Sequence, residues 1–391
     1  MLSGEITCTA LERVLFGQPA AHAVASEADR RGAGRVCLVV SDHLRRHTDE
    51  IAKIETALGA RHARTFSGVP AHSPRSVVLE AAEFVRTVGG VDLLVAVGGG
   101  SVIDLTKLVP VCLANHIHSP PDFERIRMRA NPNGGFVIPA IAAPRLRIVN
   151  VPITLSGAEF TAIAGITDEA TKAKHGYTHP LMAAASVILD PAITRHSPPW
   201  LWLSTGVRAV DHCAETLGSL LSNPICDGTA ATGLRLLRDG LPRVRRDPTD
   251  LDARLKCQMG AWQAILPLSA GVPMGLSHAI GHVLGGACNV PHGYTSCVML
   301  PYVMRWNLPA NRERQALISA CFGAPEQSAA DLLDGFVRDL GLPRTLREIG
   351  VNEDAFSAIA HHTLDDPFGR TNPRPVRSAD DVMQVLRAAC G

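Results

Sequence analysis

The pattern of apolar residues changes near the middle of the chain, and this change limits the folds that the chain can adopt. In the first half, short continuous apolar runs, such as DLLVAV at residues 92–97, alternate with segments whose apolar residues recur at helical spacing. Continuous apolar runs of strand length are typical of parallel strands that are buried on both faces. The expected strands are residues 35–41, 92–97, 148–153 and 185–189, and the expected helices include residues 19–31 and 75–88. The alternation predicts a doubly wound parallel sheet of the Rossmann-like kind.

The second half, after Asp190-Pro191, lacks comparable apolar runs and is rich in Ala and Leu at helical spacing. Such a pattern, interrupted by Pro and Gly, predicts helices. They are expected at residues 201–221, 227–239, 251–270, 274–285, 298–306, 313–321, 328–340 and 379–389, with polar loops at 118–136 and 365–377. The predicted fold class is therefore an α/β domain over residues 1–190 followed by an all-helical domain over residues 191–391.

The charges of the chain disfavour one large class of partners. Its 38 Lys and Arg nearly balance 37 Asp and Glu, which leaves a formal net charge of +1 with 16 His counted as neutral. Nucleic-acid binding needs clustered basic residues that displace counterions, so we expect no nucleic-acid partner. We also expect no membrane span, because no run approaches roughly 18 uncharged apolar residues, and the acidic start does not resemble a signal peptide. With ten Cys and no CxxC pair, the sequence predicts a cytoplasmic protein with reduced thiols.

A glycine-rich turn directly follows the second clear strand. Gly98, Gly99 and Gly100 precede Ser101, which opens a helical segment. Glycines at such a turn let backbone N–H groups approach an anion, and the helix N-terminus adds partial positive charge. The turn is a candidate site for the pyrophosphate of a dinucleotide, although it is not the GxGxxG pattern and a purely structural role stays open. Pro110 is expected to kink or end this helix.

Asp42 ends the first clear strand and bears on the choice of cofactor. A carboxylate there can accept hydrogen bonds from the hydroxyls of an adenosine ribose and repel a 2′-phosphate. This favours NAD(H) over NADP(H). Two alternatives stay open, because Asp at a strand end is also a common helix cap and because Arg45 or Arg46 would suit a phosphate.

Three histidines follow one another in the segment GLSHAIGHVLGGACNVPHG. His278 and His282 are four residues apart and share one face of a helix, a Gly-Gly pair then ends or bends that helix, and His292 follows. Imidazoles grouped in this way usually bind a divalent ion, take part in proton transfer, or both. The segment is therefore a candidate active site.

A second helical segment carries Arg208, His212 and Glu215 at positions i, i+4 and i+7, which also share a face. Asp211 lies about 100° round the helix from His212, so we expect it to lie off this face. His212 is the candidate partner of the three-histidine segment.

These motifs resemble the iron-containing alcohol dehydrogenase family over nearly the whole chain. The segments that carry the resemblance are ERVLFG near the start, VGGGSVIDLTK at 97–107, PITLSGAEFT at 152–161, SVILDPAIT at 186–194, STGVRAVDHCAE at 204–215 and GLSHAIGHVLGGACNVPHG at 275–293. The resemblance implies a dinucleotide-binding α/β domain followed by a helical domain, an active site in the cleft between them, and a homodimer.

Position by position, the resemblance implies roles for named residues. For the cofactor, it implies pyrophosphate binding by Gly98, Gly99, Gly100 and Ser101, a place near the nicotinamide for Asp104, and lining of the cofactor cleft by Thr154 and Leu155. It matches three metal ligands of the family to His212, His278 and His292, and the histidine near the nicotinamide to His282. The fourth ligand is an aspartate in the family and is Arg208 here.

Arg208 puts a bound metal in question. If its guanidinium pointed toward a +2 ion about 5 Å away, the repulsion at an effective dielectric of 20 would be roughly 6 to 7 kcal/mol. Three histidines and water can hold zinc, so binding of Fe or Zn requires Arg208 to turn away, and we expect activity without a metal. Maleylacetate reductases, a branch of the same family, resemble the chain in HVLGGACNVPH and FSGVPAHSP. They also replace the aspartate, usually with Asn, and the resemblance implies metal independence.

The resulting hypothesis is NADH-dependent reduction of a ketone or enone that bears a carboxylate, as in the catabolism of aromatic compounds. Arg208 would pair with the substrate carboxylate through two hydrogen bonds. Hydrogen bonds and a proton for the developing alkoxide or enolate would come from His212, His278, His282 and His292. Three alternatives stay open: a metal-dependent (Fe or Zn) alcohol dehydrogenase for neutral alcohols and aldehydes, a lyase like dehydroquinate synthase, and a scaffold that has lost catalysis.

Overall fold

The computed structural model describes residues 5–71, 73–131 and 135–391. The chain divides into two compact units, one formed by Cys8–Arg129 and Val137–Ser197, the other by Met1–Thr7, Ala130–Phe136 and Pro198–Gly391. Part of the loop expected at 118–136, residues 132–134, lies outside the described residues, as does His72 of the FSGVPAHSP segment.

A parallel sheet forms the centre of the first unit. The described strands are β1 (Arg13–Phe16), β2 (Val36–Val40), β3 (His62–Phe66), β4 (Leu93–Gly98), β5 (Arg129–Ala130), β6 (Phe136–Val137), β7 (Arg147–Pro152), β8 (Ile163–Asp168), β9 (Ala173–Thr178) and β10 (Ser186–Leu189). Six of them form an all-parallel sheet in the order β1-β10-β7-β4-β2-β3. The helices of this unit are α1 (Ala20–Arg30), α2 (Asp42–His47), α3 (Glu50–Leu58), α4 (Arg75–Val88) and α5 (Gly100–Ala114). The predicted Rossmann-like sheet is confirmed, with the four expected strands at β2, β4, β7 and β10.

Consecutive residues of the central strands face two different layers of helices. On β4, Leu93, Val95 and Val97 pack in a cluster with α1 and α3, whereas Leu94 and Ala96 pack in a second cluster with α4 and α5. Because side chains alternate across a strand, helices on both faces leave no position of the strand in contact with water. Continuous apolar runs in the sequence are the consequence.

The strands at the margins of this unit were missed in the sequence. β1 and β3 lie at the two edges of the sheet, and β8 pairs with β9 in a separate antiparallel hairpin. β3 (HARTF) has no fully buried residue, and the hairpin contains Gly165 and Gly176. Neither segment therefore has the apolar pattern by which strands are recognised.

Pro110 was expected to kink or end α5; it lies inside the helix, so the expectation that it ends the helix was wrong. Proline removes one N–H group from the hydrogen-bond ladder of a helix and strains the preceding turn. The residues around it, Leu108, Val109, Val111 and Cys112, are all fully buried in the core. Burial of this apolar turn offsets the cost of the proline.

From residue 198 onward, the described chain forms helices and no strand, which confirms the all-helical second half. The helices are α6 (Pro199–Gly218), α7 (Pro224–Arg246), α8 (Leu251–Ser269), α9 (Leu276–Ala287), α10 (His292–Cys321), α11 (Ala329–Asp339), α12 (Phe356–Asp365) and α13 (Ala379–Ala388). α6 packs against α7, α8 and α10. The two helices expected at 298–306 and 313–321 are the halves of α10, separated by non-helical backbone at Asn311, and α12 was not predicted.

Two smaller expectations concern the thiols and the membrane. All ten Cys are free, and seven of them are buried, in agreement with the predicted core thiols. Among the helices in the described ranges, none has both the length and the apolar character needed to cross a membrane.

Candidate functional site

The glycine-rich turn lies at the carboxyl edge of the parallel sheet, beside the point where the strand order reverses. From β2 the chain adds β3 on one side and then returns to place β4 on the other side of β2. In open α/β sheets, ligands bind in the crevice outside the carboxyl ends of the strands at such a switch point. Asp42 follows β2 and Gly98 ends β4, so both predicted cofactor segments lie at this edge.

The glycines of this turn leave little room for side chains, and least of all at Gly98. A Cβ on Gly98 would lie 2.7 Å from Val102 Cγ2. A Cβ on Gly100 would lie 3.0 Å from Ser156 Oγ, in the segment that follows β7. Gly99 is the N-cap of α5, so the first N–H groups of that helix lie at the turn. Bare backbone and a helix N-terminus together suit a pyrophosphate.

The segment after β7 places the other predicted cofactor residues. Thr154 and Leu155 are both buried, and Thr154 Oγ1 has no hydrogen-bond partner within the described chain. A buried hydroxyl without a partner is costly, and a bound ligand would supply one. Asp104 accepts a hydrogen bond from Gly165 N at 3.2 Å and lies 3.5 Å from Lys107 Nζ.

Lys107 was not singled out in the sequence, yet it anchors this region. Its side chain is fully buried, and Nζ donates to Thr161 Oγ1 at 3.0 Å, to the carbonyl of Ile163 at 2.8 Å and to the carbonyl of Ala158. These bonds tie α5 to the segment that follows Thr154 and Leu155, the residues predicted to line the cofactor cleft. Only the motif VGGGSVIDLTK, which ends on this lysine, could have indicated it.

Asp42 is the first residue of α2, while Ser41 occupies the N-cap position. Its Oδ2 lies 3.0 Å from Arg46 Nε. Arg45 Nη1 donates to the carbonyl of Thr65 at 3.1 Å. Both arginines that suited a phosphate in the sequence are thus engaged by protein groups, and Asp42 keeps its place at the carboxyl end of β2.

In the second unit, Glu215 on α6 caps the N-terminus of α9. Glu215 Oε2 accepts from Gly275 N at 2.8 Å, and Oε1 accepts from Ser277 N at 2.8 Å. A negative charge is favourable at the positive end of a helix. Glu215 Oε2 also lies 2.7 Å from His278 Nδ1. An ionised Glu215 can only accept, which places the His278 proton on Nδ1 and makes Nε2 an acceptor.

Asp211 belongs to this cluster, so the expectation that it lies off the active face was wrong. Its Oδ2 accepts from Ser277 Oγ at 2.8 Å and from Ser296 Oγ at 2.7 Å, and it lies 3.6 Å from His278 Nδ1. The reason is that α6 meets α9 through Ser277 and α10 through Ser296, over an arc wider than one helical face. Burial raises the pKa values of both Asp211 and Glu215, and the nearby Glu215 raises that of Asp211 further.

Arg208 lies among the same groups. It is half-buried, its Nη1 donates to Ser296 Oγ at 3.3 Å, and a Cβ on Gly281 of α9 would lie 3.6 Å from Nη1. Burial lowers the pKa of Arg208, while Asp211 and Glu215 oppose that shift. Because arginine stays protonated in proteins, the cluster contains one fixed positive charge.

The structure brings His212 and His278 into direct contact. Their rings stack with centroids 4.8 Å apart. Burial lowers the pKa values of both well below the usual range, and the nearby Arg208 acts in the same direction. Both imidazoles are therefore neutral at physiological pH.

Of the other two histidines, His282 lies on α9 and His292 packs against it. His282 Nδ1 lies 2.8 Å from Asp366 Oδ2, and its side chain keeps 37% of its surface exposed. His292 begins α10 and packs against Gly285, where a Cβ would lie 2.8 Å from its Cε1. His278, His282 and Gly285 share one face of α9 at i, i+4 and i+7. Because His292 packs against Gly285, all three histidines of the predicted segment lie along this face. No motif in the sequence indicated that Asp366 would contact His282.

The cluster does not fit a divalent metal held as the family motif implies. His212 Nδ1 and His278 Nε2 are buried without a hydrogen-bond partner among the described residues, which suits ligands. However, the position of the anionic ligand carries the Arg208 guanidinium, and the nearby carboxylates already accept hydrogen bonds from Ser277, Ser296 and the start of α9. His212 Nδ1 and His278 Nε2, which lack a partner among the described residues, suit hydrogen bonds to a substrate.

A second group of possible ligands lies in the first unit. Glu124, Asp168 and His175 are close enough to share an ion. Arg75 donates to all three, at 2.9 Å, 2.9 Å and 2.8 Å. A guanidinium bonded to every member excludes a cation, so this group is a partly buried network of ion pairs and hydrogen bonds around Arg75.

Comparison with known proteins covers both units. Residues 12–191 match the profile described as iron-containing alcohol dehydrogenase, and residues 202–390 match the C-terminal part of the Fe-containing alcohol dehydrogenase family. Maleylacetate reductase 2 of Cupriavidus pinatubonensis is 32% identical over 378 residues, which cover 96% of this chain and 94% of that protein.

Solved structures that are similar to this chain come from the same family as the sequence matches. The crystal structure of a maleylacetate reductase from Agrobacterium tumefaciens is 28% identical, with a TM-score of 0.82, and the match covers 100% of this chain and 99% of that one. The crystal structure of an iron-containing alcohol dehydrogenase from Corynebacterium glutamicum is 27% identical, with a TM-score of 0.83 and coverage of 100% and 98%. The chain is thus an oxidoreductase, a dehydrogenase or reductase, and belongs to the iron-containing alcohol dehydrogenase family, on the branch that resembles maleylacetate reductases.

Proposed function

We propose that the protein reduces a ketone or enone that bears a carboxylate, with NADH as the hydride donor. The observation that carries this proposal is Arg208, a fixed cation beside His212 and His278 at the position where the family motif has a metal-binding aspartate. The maleylacetate reductases to which the chain is similar support a carboxylate-bearing substrate by their names. A role in the catabolism of aromatic compounds belongs to the same proposal.

Each unit contributes one binding function. In the first unit, the turn at residues 98–101 holds the pyrophosphate, and Asp42 accepts the ribose hydroxyls, which favours NADH over NADPH. Thr154 Oγ1 is a further partner for the cofactor. When bound, the nicotinamide supplies the hydride.

In the second unit, Arg208 binds the substrate carboxylate through its planar pair of N–H groups. His212 and His278, both neutral and each with one buried nitrogen without a partner in the described chain, orient the substrate by hydrogen bonds. His282 is partly exposed to solvent, so it can donate a proton to the developing oxyanion and regain one from water. Asp366 fixes the orientation of its ring.

Arg208→Asp tests the proposal. Loss of the cation should lower kcat/KM for a carboxylate-bearing ketone such as maleylacetate by about 30-fold or more, because an uncompensated carboxylate costs 2 kcal/mol or more. The variant should also gain iron or zinc, since the anionic ligand is restored. Arg338→Asp is the matched control, because Arg338 is an exposed arginine on α11, and it should change neither property. Unchanged kinetics of Arg208→Asp on the acidic substrate would disprove the role of Arg208.

The main rival is a metal-dependent alcohol dehydrogenase for neutral alcohols and aldehydes. The unpartnered nitrogens of His212 and His278 favour it. Elemental analysis of protein purified without chelator separates the two. Near-stoichiometric iron or zinc in the natural protein, together with turnover of simple aldehydes, would replace the proposed function by this rival.

A further inference from the structure

Two hydrogen bonds in series link Asp211 to Arg208. Arg208 Nη1 donates to Ser296 Oγ at 3.3 Å, and Ser296 Oγ donates to Asp211 Oδ2 at 2.7 Å. A guanidinium can only donate, so Ser296 accepts from Arg208 with a lone pair and turns its single proton toward Asp211. The chemistry of the three groups therefore fixes the direction of both bonds.

Asp211 is a rigid anchor for this series. Its side chain is fully buried, and Oδ2 accepts a second bond from Ser277 Oγ at 2.8 Å. Oδ1 has no partner in the part of the chain that the structure describes, so Oδ2 keeps both bonds whether or not Oδ1 carries a proton. Because Ser277 lies on α9 and Ser296 on α10, Asp211 ties α6 to both helices.

Gly281 leaves the space that the guanidinium occupies. A Cβ at this position would lie 2.9 Å from Thr295 Oγ1 and 3.6 Å from Arg208 Nη1. The first distance is too short for a methyl group to be accepted without a shift of Thr295. A side chain here would therefore displace Thr295 of α10, and it would fill the space beside the Arg208 guanidinium, at van der Waals distance from Nη1.

We propose that Asp211 and Ser296 are positioning residues that hold the Arg208 guanidinium in the orientation that binds the substrate carboxylate, with Gly281 keeping its place open. The proposal rests on the proposed function of Arg208. A long arginine side chain loses rotamer freedom when it binds a ligand, and a guanidinium that is already oriented loses less. The preference of Arg208 for anionic over neutral substrates is therefore strengthened by residues that do not touch the substrate.

Ser296→Ala is the primary test. It removes one hydrogen bond to a charged group, which should raise KM for maleylacetate and Kd for the unreactive dicarboxylate succinate by about tenfold. The value of kcat and the KM for a neutral aldehyde should change by less than about twofold, because these do not depend on the orientation of the clamp. Succinate binding, measured by calorimetry on the NADH-saturated protein, gives the result without turnover. Asp211→Asn keeps an acceptor oxygen and should have the smaller effect, and Asp211→Ala should match Ser296→Ala.

Gly281→Ala supplies an independent test with a matched control. Both Gly281 and Gly228 are helical glycines, but a Cβ on Gly228 meets nothing within 4 Å. Gly281→Ala should weaken succinate binding, whereas Gly228→Ala should leave it unchanged. If the two substitutions changed succinate binding equally, Gly281 would not be required to leave room beside Arg208.

The double variant with Arg208→Met separates the two levels of the proposal. If Ser296 acts through Arg208, then Ser296→Ala has no further effect on succinate binding once Arg208 is Met. If Ser296→Ala still weakened succinate binding in the Arg208→Met background, or raised the KM for the neutral aldehyde equally, the positioning role would be overturned. If Arg208→Met alone leaves succinate binding unchanged, the proposed function itself is wrong. If Arg208→Met weakens binding and Ser296→Ala does not, only the positioning inference fails.

Discussion

Glu159 is a buried carboxylate whose charge opposes folding. It follows Thr154 and Leu155, which are predicted to line the cofactor cleft, and 2% of its surface is exposed. Its Oε2 has no hydrogen-bond partner among the residues the structure describes. Burial raises the pKa of Glu159 to about 7, although the nearby Lys107 opposes that shift. An unfolded glutamate titrates near pH 4.3. Between these two pH values the folded state therefore holds one proton more than the unfolded state.

Glu159→Gln should change how stability depends on pH. The contribution of Glu159 to the free energy of unfolding is fully present below the unfolded pKa, and it is lost as pH rises through the folded pKa. The variant lacks this loss, so its stability relative to the natural protein should rise between pH 4.5 and 7.5 by up to about 3 kcal/mol. Urea melts at pH 5, 6, 7 and 8 measure the difference, with the exposed Glu313→Gln as control. A difference that stays constant over this range would show that Glu159 does not titrate as described.

At the candidate site, local spacing identified some residues and missed others for a definable reason. His212 and His278 were predicted partners, and their rings stack. Asp211 was predicted to lie outside the site because the argument from helical spacing assumed that α6 has one packed face. In the structure α6 contacts both α9 and α10, and Asp211 bonds to a serine on each. Asp366 bonds to His282 across 84 residues of sequence. Only tertiary packing determines that contact, and the segment around Asp366 had been expected to be a loop.

Among the structural elements, burial determines which strands can be predicted from the sequence. β2 and β4 are fully buried and produced continuous apolar runs. β3 at the edge of the sheet, and the β8–β9 hairpin, have mixed patterns because neither is covered on both faces. The doubly wound architecture could thus be predicted from its central strands alone.

The junction between β4 and α5 depends on Gly98. A Cβ there would lie 2.7 Å from Val102 Cγ2 and 2.8 Å from Val102 Cβ. Valine is β-branched and restricted at χ1, and Val102 is buried, so it cannot move away cheaply. Gly98→Ala should lower stability by about 1 to 3 kcal/mol and weaken NADH binding, because the turn that follows must shift.

The control for this prediction is Gly228→Ala in α7. With open space around that position, the substitution should be neutral or stabilise the protein by up to about 1 kcal/mol, since alanine restricts the unfolded chain more than glycine. Thermal unfolding and fluorescence titration with NADH measure both effects. If Gly98→Ala had the stability and NADH affinity of the natural protein, the close packing of the turn would have no functional consequence.

Across the whole molecule, the net charge of +1 does not reveal three cations that are enclosed by polar and acidic groups. Arg75 is bonded to Asp168 and Glu124, Lys107 to carbonyl groups near Asp104, and Arg208 lies close to Asp211. Composition could therefore disfavour a nucleic-acid partner but could not identify any of these sites. The exchange of one charge at position 208 was visible only because the surrounding motif was recognised.

Cofactor choice is measurable on the intact protein through ligand-linked stability. A ligand at 100 times its Kd stabilises the native state by about 2.7 kcal/mol, which raises Tm by a few degrees for a chain of this size. NADH should therefore raise Tm more than NADPH at equal concentration. Asp42→Asn should narrow that gap by improving the response to NADPH, because it removes the charge that repels a 2′-phosphate.

The Asp42 carboxylate also pairs with Arg46, and both side chains are exposed. Since an exposed pair contributes at most about 1 kcal/mol, Tm without cofactor should stay nearly constant in Asp42→Asn, and the exposed Asp354→Asn should leave all values unchanged. A larger Tm shift with NADPH in the natural protein would reverse the assignment of the cofactor. If the Tm difference between NADH and NADPH persisted in Asp42→Asn, the discrimination would instead lie elsewhere at the carboxyl edge of the sheet. Arg45, whose Nη1 donates to the carbonyl of Thr65, would be the next residue to test.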